Sequence, residues 1–356
     1  MIRPLASLKP FLLPLLLIAL VGALLLALDD SGTKSAAGMP RVAIVQHASQ
    51  AALEEGVRGI VQGLASQGFI DGRTVKLKFY NAQGDVPTAN DIARQVTNGS
   101  ADLVITASTL SMQSVANANR QSKVRHVFGI VTSAASAGIG VSATDPLDHP
   151  AHLAGYTSLV PVIDTLKLAR EFNPGLKRVG LVWHSAEVSS QMYTADARKA
   201  CKELGIELLE ATAESSVDVG QAAQSLAPRG IDAFLITGDV VVLMAADSLI
   251  KAARTERIPV LSLIPPNFRK GALFDLGADY EAVGRDVGLL AASVLAGTSP
   301  ASLPIVNKVP LTFNLNLSAL QGLREAWQLP ATMLERAHLV IDKDGERRQK
   351  PRAATP

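Results

Sequence analysis

A chain of 356 residues that is 48% hydrophobic and 19% charged is too long for one small core and fits two lobes of ordinary size. Its 34 basic and 32 acidic residues leave a net charge of +2, and no long basic run interleaves with aromatics, which argues against a nucleic-acid partner. The single cysteine, Cys201, falls in a helical pattern and excludes an intramolecular disulfide.

Arg3 and Lys9 precede an uncharged run over residues 11–28, closed by Asp29-Asp30. The run is longer than a signal-peptide core of about 7–15 residues and just long enough to span hydrocarbon as a helix. Its flanking charges place residues 1–10 in the cytoplasm and the rest of the chain outside. An uncleaved anchor is favoured over a signal removed after Ala37, and no cysteine nearby offers a lipid attachment. Residues 29–40 read as a linker.

The first strand lies in Arg41-Val-Ala-Ile-Val-Gln-His-Ala-Ser49, whose four consecutive apolar residues suit a parallel strand covered on both faces. Leu53, Val57, Ile60, Val61 and Leu64 then recur at helical spacing, with Gly68 as the C-cap. Residues 75–79 alternate as a strand nearer an edge, Asn81-Ala-Gln-Gly-Asp85 turns, and a helix covers about 88–98. Residues 102–106 make the third strand. Ser108 and Thr109 follow it as an N-cap that can also offer hydroxyls and helix N–H groups to a carboxylate. Residues 127–131 make the fourth strand, with Thr132 and Ser133 at its end. Residues 134–152 break the rhythm and read as a crossing or hinge. Asp145, Asp148, His149 and His152 there match no metal-ligand spacing, so no metal is expected.

The opening phrase returns as Arg178-Val-Gly-Leu-Val-Trp-His-Ser185, and the landmarks repeat in order: Gly68 with Gly205, Asp85 with Asp218, Asp102 with Asp232. A helix over 189–204, an alternating strand over 206–210, a helix opening at 215–218 and a strand over 231–237 replay the first lobe. Strand 259–263 runs into Pro265-Pro266, read as a second crossing. An extended piece at 272–276, a helix over 280–295, another extended piece near 308–312 and a last helix over 317–327 complete the folded part. The charged tail beyond Asp342 reads as disordered. Two lobes built alike imply a working site between them, at the carboxyl ends of their strands. His47 and His184 stand in equivalent loops and become candidates for stacking on a ligand. No phosphate-binding glycine loop, G-x-S-x-G or H-E-x-x-H occurs, so neither a cofactor nor an enzymatic activity is expected.

In their order, Asn81-Ala-Gln-Gly-Asp85, Ala107-Ser-Thr109, Val127-Phe-Gly-Ile-Val-Thr132, the Glu187 loop, Ile258-Pro-Val260 and Lys270-Gly-Ala-Leu273 followed by Tyr280 carry a resemblance. From about residue 40 to 341 the chain resembles the ABC-transporter substrate-binding proteins that include tryptophan and tyrosine binders. The resemblance implies a type I periplasmic-binding fold, α/β, with two doubly wound parallel-sheet lobes joined by three crossings. Lobe 1 would take residues 41–157 and 264–306, lobe 2 residues 158–263 and 307–342, leaving 343–356 as a tail. It also implies ligand contacts from Thr109, Thr132, Glu187 and Asp239, with Ser108, Ser133 and Ser189 beside them. Where the family has Thr-Pro, Thr-Asp-Pro and an Asn-Pro-Gly-Glu loop, this chain has Ser108-Thr109, Thr132-Ser133-Ala134 and His184-Ser-Ala-Glu187, so aromatic specificity does not follow. The expectation is a monomeric receptor on the periplasmic face of an inner membrane. It would capture a small polar or amphipathic, amino-acid-like molecule between closing lobes and deliver it to an ABC permease. The alternative is a membrane-tethered sensor subunit that signals to a partner protein.

Overall fold

The computed structural model describes residues 38–325 and 327–349; the apolar run at 11–28 and the chain from 350 onward lie outside the described residues. Among the described residues no helix is long and apolar enough to cross a membrane.

Strand β1 (Arg41–Gln46) buries Val42, Ala43, Ile44 and Val45, because helices cover both faces of its sheet. After it come α1 (Ala51–Ser66), β2 (Lys76–Asn81), α2 (Val86–Gln95), β3 (Leu103–Ala107), α3 (Thr109–Ala118), β4 (Arg125–Val131) and β5 (Leu153–Thr157). These strands lie parallel in the order β2-β1-β3-β4-β5. Helix α4 (Val162–Phe172) leads into β6 (Arg178–Trp183), α5 (Val188–Leu204), β7 (Glu207–Thr212), α6 (Val219–Leu226) and β8 (Ala233–Ile236). Then come α7 (Val240–Met244), α8 (Ala246–Thr255), β9 (Val260–Ser262), α9 (Asn267–Lys270) and β10 (Phe274–Ala278). The second sheet repeats the pattern as β7-β6-β8-β9-β10, parallel throughout. One landmark pair shares a role: Arg41 N donates to Asp102 Oδ2 at 2.8 Å, and Arg178 N to Asp232 Oδ2 at 2.7 Å.

Helix α10 (Tyr280–Leu295) then returns to pack along α1 in the first lobe. The two helices meet through glycines: a Cβ at Gly59 would overlap the Glu281 carbonyl oxygen, and one at Gly284 the Gly56 carbonyl oxygen. β11 (Val306–Asn307) extends the first sheet beside β5, and β12 (Leu311–Asn316), β13 (Leu339–Asp342) and β14 (Gly345–Arg348) extend the second beyond β10. The chain therefore passes between lobes three times, after β5, after β10 and after β11. These crossings are bonded to one another, Asp279 N to Pro310 O and Lys308 N to Thr157 O, each at 2.8 Å.

Four expectations from sequence need correction. The piece at 272–276 is β10 in the second sheet, so the second crossing falls after Ala278 and not at Pro265-Pro266. Those prolines break the chain into a tight turn before α9 without sending it to the other lobe. Residues 134–152 are an excursion inside the first lobe, since β5 rejoins β4 directly. Residues 317–320 form only a 3₁₀ turn in place of a helix over 317–327, and residues 345–348 of the supposed tail pair with β13 as an antiparallel strand.

Candidate functional site

In both sheets the strand order reverses beside the first strand, so the loops after β1 and β3 diverge in one lobe and those after β6 and β8 in the other. Such reversal points open crevices at the strands' carboxyl ends. A cavity of about 50 Å³ lies there, with Gln50, Leu53, Ser108, Thr109, Ile130 and Thr132 on the first lobe's side. Glu187, Ser189, Tyr193, Val240, Leu243 and Ile264 line it from the second, and Ser158 and Tyr280 from the crossings. The lobes touch beside it: Gln50 Nε2 donates to the Val240 carbonyl at 3.1 Å, and Ser136 Oγ to Met192 Sδ at 3.2 Å.

On the first lobe's side, Ser108 caps α3, its Oγ accepting from Ser111 N at 3.1 Å. Its φ of 134° lies in a region that favours glycine, which costs on the order of 1–3 kcal/mol and places the N-terminus of a ten-residue helix at the cavity. Thr109 and Thr132 come together, Thr132 N donating to Thr109 Oγ1 at 3.2 Å. Between β3 and this pair, β4 carries a bulge at which Phe128 pairs with Gly155 but Val131 with Thr157. The extra residue brings Ile130 to the cavity wall with a φ of 57°.

On the second lobe's side, Glu187 is 3% exposed. Ser189 Oγ donates to its Oε1, and Val240 N to its Oε2 at 2.9 Å. Burial, and then the neighbouring Asp239 carboxylate, push the Glu187 carboxyl up to about 8. Asp239 is fully buried and used internally. Its Oδ1 accepts from Val242 N at 2.9 Å, capping α7, and its Oδ2 accepts from His184 N at 2.6 Å and Ser190 Oγ at 2.5 Å.

Of the nine residues expected at the site, Ser108, Thr109, Thr132, Glu187 and Ser189 line the cavity. His47, Ser133, His184 and Asp239 do not. His47 is a buried ring whose Nδ1 lacks a partner, and burial holds its pKa down. His184 Nδ1 lies 3.0 Å from the Ala213 carbonyl, and Ser133 Oγ accepts from Ser136 N at 3.2 Å. No group of three or more metal-ligating side chains occurs among the described residues. Sequence reasoning missed the two tyrosines. Burial raises both, Tyr193 to about 12, and the Tyr193 hydroxyl accepts from Val160 N at 3.4 Å on the first crossing. Their signal was rarity: the chain has four tyrosines, and two of them meet here. Ile130 was signalled by Gly129, since a lone glycine inside a strand pattern marks a bulge.

A cleft between two repeated α/β lobes, lined by hydroxyls, one carboxyl and an aliphatic wall, is the arrangement of a solute-binding protein. Residues 41–341 match the family described as ABC transporter substrate binding protein, and the chain belongs to it. That is a family of binding proteins and not of enzymes. Among its relatives, a tyrosine-binding protein of Clostridioides difficile is 28% identical over 280 residues, 79% of each chain. A solved conserved domain protein from Vibrio cholerae matches 85% of this chain and 100% of its own at 26% identity, with a TM-score of 0.80. A Clostridium difficile substrate binding protein with adhesive properties, solved ligand-free and open, matches 82% of this chain and 96% of its own. There the identity is 27% and the TM-score only 0.62.

Proposed function

We propose that the chain captures a small amino acid between its lobes outside the cytoplasm, tethered through residues 11–28, and as a monomer hands it to the permease of an ABC importer. The carrying observation is that an acid and a helix N-terminus oppose each other across the cavity, placed to pair with a ligand's two charges. Glu187 is the one carboxylate among the described residues lining it, and no Lys, Arg or His joins it. Opposite stand the N-terminus of α3 and the hydroxyls of Ser108, Thr109 and Thr132. An ammonium would pair with Glu187, whose oxygens still have lone pairs free, and a carboxylate would accept from the helix end. The aliphatic wall of Leu53, Ile130, Leu243 and Ile264 suits the side chain. The tyrosine-binding relative supports an amino acid as the ligand class. The contacts already made between the lobes, and the poorer fit to an open relative, support a closed arrangement reached by lobe closure.

Thermal melting of the full chain against a panel of amino acids and sugars tests the reading. An amino acid at a hundred times its Kd should stabilise by about 2.7 kcal/mol while sugars leave the midpoint unchanged. Stabilisation by a sugar and by no amino acid would overturn it.

A further inference from the structure

The inner wall of the cavity is set by a residue that the charge pairing does not use. The bulge in β4 reverses the alternation of that strand: Val127 and Ile130 belong to the core under α1 and α10, whereas Phe128 and Val131 belong to the core under α3. In an unbulged strand Ile130 would follow Phe128 to the far face. Behind Ile130 stands Gly56 of α1, where a Cβ would overlap Ile130 Cδ1. Helix α1 has no freedom to retreat, because Gly59 and Gly63 already meet the backbone of α10. Ile130 is thus wedged between a helix without a side chain and the cavity, its backbone held at a φ of 57° that a β-branched residue rarely adopts.

We propose that Ile130, positioned by the β4 bulge and by Gly56, gauges ligand size, so that the closed lobes accept an amino acid with a short aliphatic side chain and reject an aromatic one. This rests on the amino-acid reading above. The cavity of about 50 Å³ is far below the roughly 300–1,000 Å³ of ordinary ligand pockets, as a small ligand requires.

Calorimetric titration of the full chain with L-alanine, L-valine, L-leucine, L-phenylalanine and L-tyrosine tests it. The native chain should bind L-valine more tightly than L-tyrosine. Ile130→Ala should shift that ratio toward L-tyrosine by about tenfold or more, the discrimination typical of a methylene-sized change in a pocket. Gly56→Ala would overlap Ile130 Cδ1 and crowd its Cγ1, pushing that side chain inward, so it should shift the ratio the opposite way. A purely structural role for Ile130 would lower the melting temperature and weaken all five ligands by one common factor; that result overturns the proposal. Tighter native binding of L-tyrosine overturns it while leaving the amino-acid reading intact. Binding of none of the five by native chain or variants removes that reading, and the proposal with it.

Discussion

The loops after β3 and β8 occupy the same place in their lobes, both reach the cavity and each starts a helix with a capping side chain, yet only the first of those caps lines it. Ser108 caps α3 from a strained backbone and lines the cavity. Asp239 caps α7 from an ordinary backbone, with φ at −97°, and turns its second oxygen to the loop after β6. That inward bond holds His184 and Ser190, which bracket Glu187 in the chain and so fix where its carboxyl meets the cavity. Equivalence by topology therefore does not carry equivalence of role. One lobe presents a helix end and hydroxyls, and the other presents an acid kept in place by a second, hidden acid.

The most severe way to sharpen this contrast is to remove the hidden acid. Asp239→Ala leaves three buried donors without their acceptor, at about 1–3 kcal/mol each, so stability should fall by about 3 kcal/mol or more in denaturant titrations. Asp239→Asn should be milder and leave the affinity for an amino acid within about twofold. If the asparagine variant loses affinity at an unchanged melting temperature, Asp239 belongs to the site and the contrast fails.

Next comes the acid of that pair that lines the cavity. A ligand ammonium favours the ionised form of Glu187, so binding must expel the carboxyl's proton. Native affinity should therefore rise by about tenfold per pH unit until about pH 8 and then level. Glu187→Gln should flatten that profile and weaken binding at pH 8 by about ten- to a hundredfold. Ligand-free stability runs the other way. The folded carboxyl holds its proton more tightly than the unfolded one, so stability is fullest below about 4.5 and falls as pH climbs toward about 8. Melting curves of Glu187→Gln should lack that fall. A native affinity independent of pH between 6 and 8 would place the ligand's amine elsewhere.

The smallest expected effect is at Ser108. Glycine adopts a φ of 134° without strain and loses little as a cap, so Ser108→Gly should raise stability by about 1 kcal/mol. Its affinity should drop with the lost hydroxyl. Stabilisation with full affinity would mean that only the helix end matters to the ligand.

Much of the fold was legible because its signals are local. Val42 to Val45 announce a doubly covered strand, Gly205 ends α5 in a left-handed turn with φ at 64°, and Arg41–Asp102 recurs as Arg178–Asp232. The boundaries that failed depend on partners far along the chain. Residues 274–278 read as extended either way, and only pairing with β9 and β12 assigns them to the second lobe. The 345–348 stretch is too polar to announce a strand and becomes one because β13 offers an edge.

The candidate site divides along the same line. The sequence by itself determined the two-lobe repeat, the family and the loops that end at the cleft, since strand periodicity, caps and motif order are written along the chain. It also named the hydroxyls of Ser108, Thr109 and Thr132 and the carboxyl of Glu187. Which loop side chain points outward was decided by tertiary structure alone. Asp239 and Glu187 look alike as acids at loop ends, and their difference comes from hydrogen bonds that join loops about fifty residues apart, at separations of 55, 49 and 53 positions. Tyr193, Tyr280 and the bulged Ile130 likewise reach the cavity because a helix face, a crossing and a register shift bring them there, and no local pattern encodes such convergence.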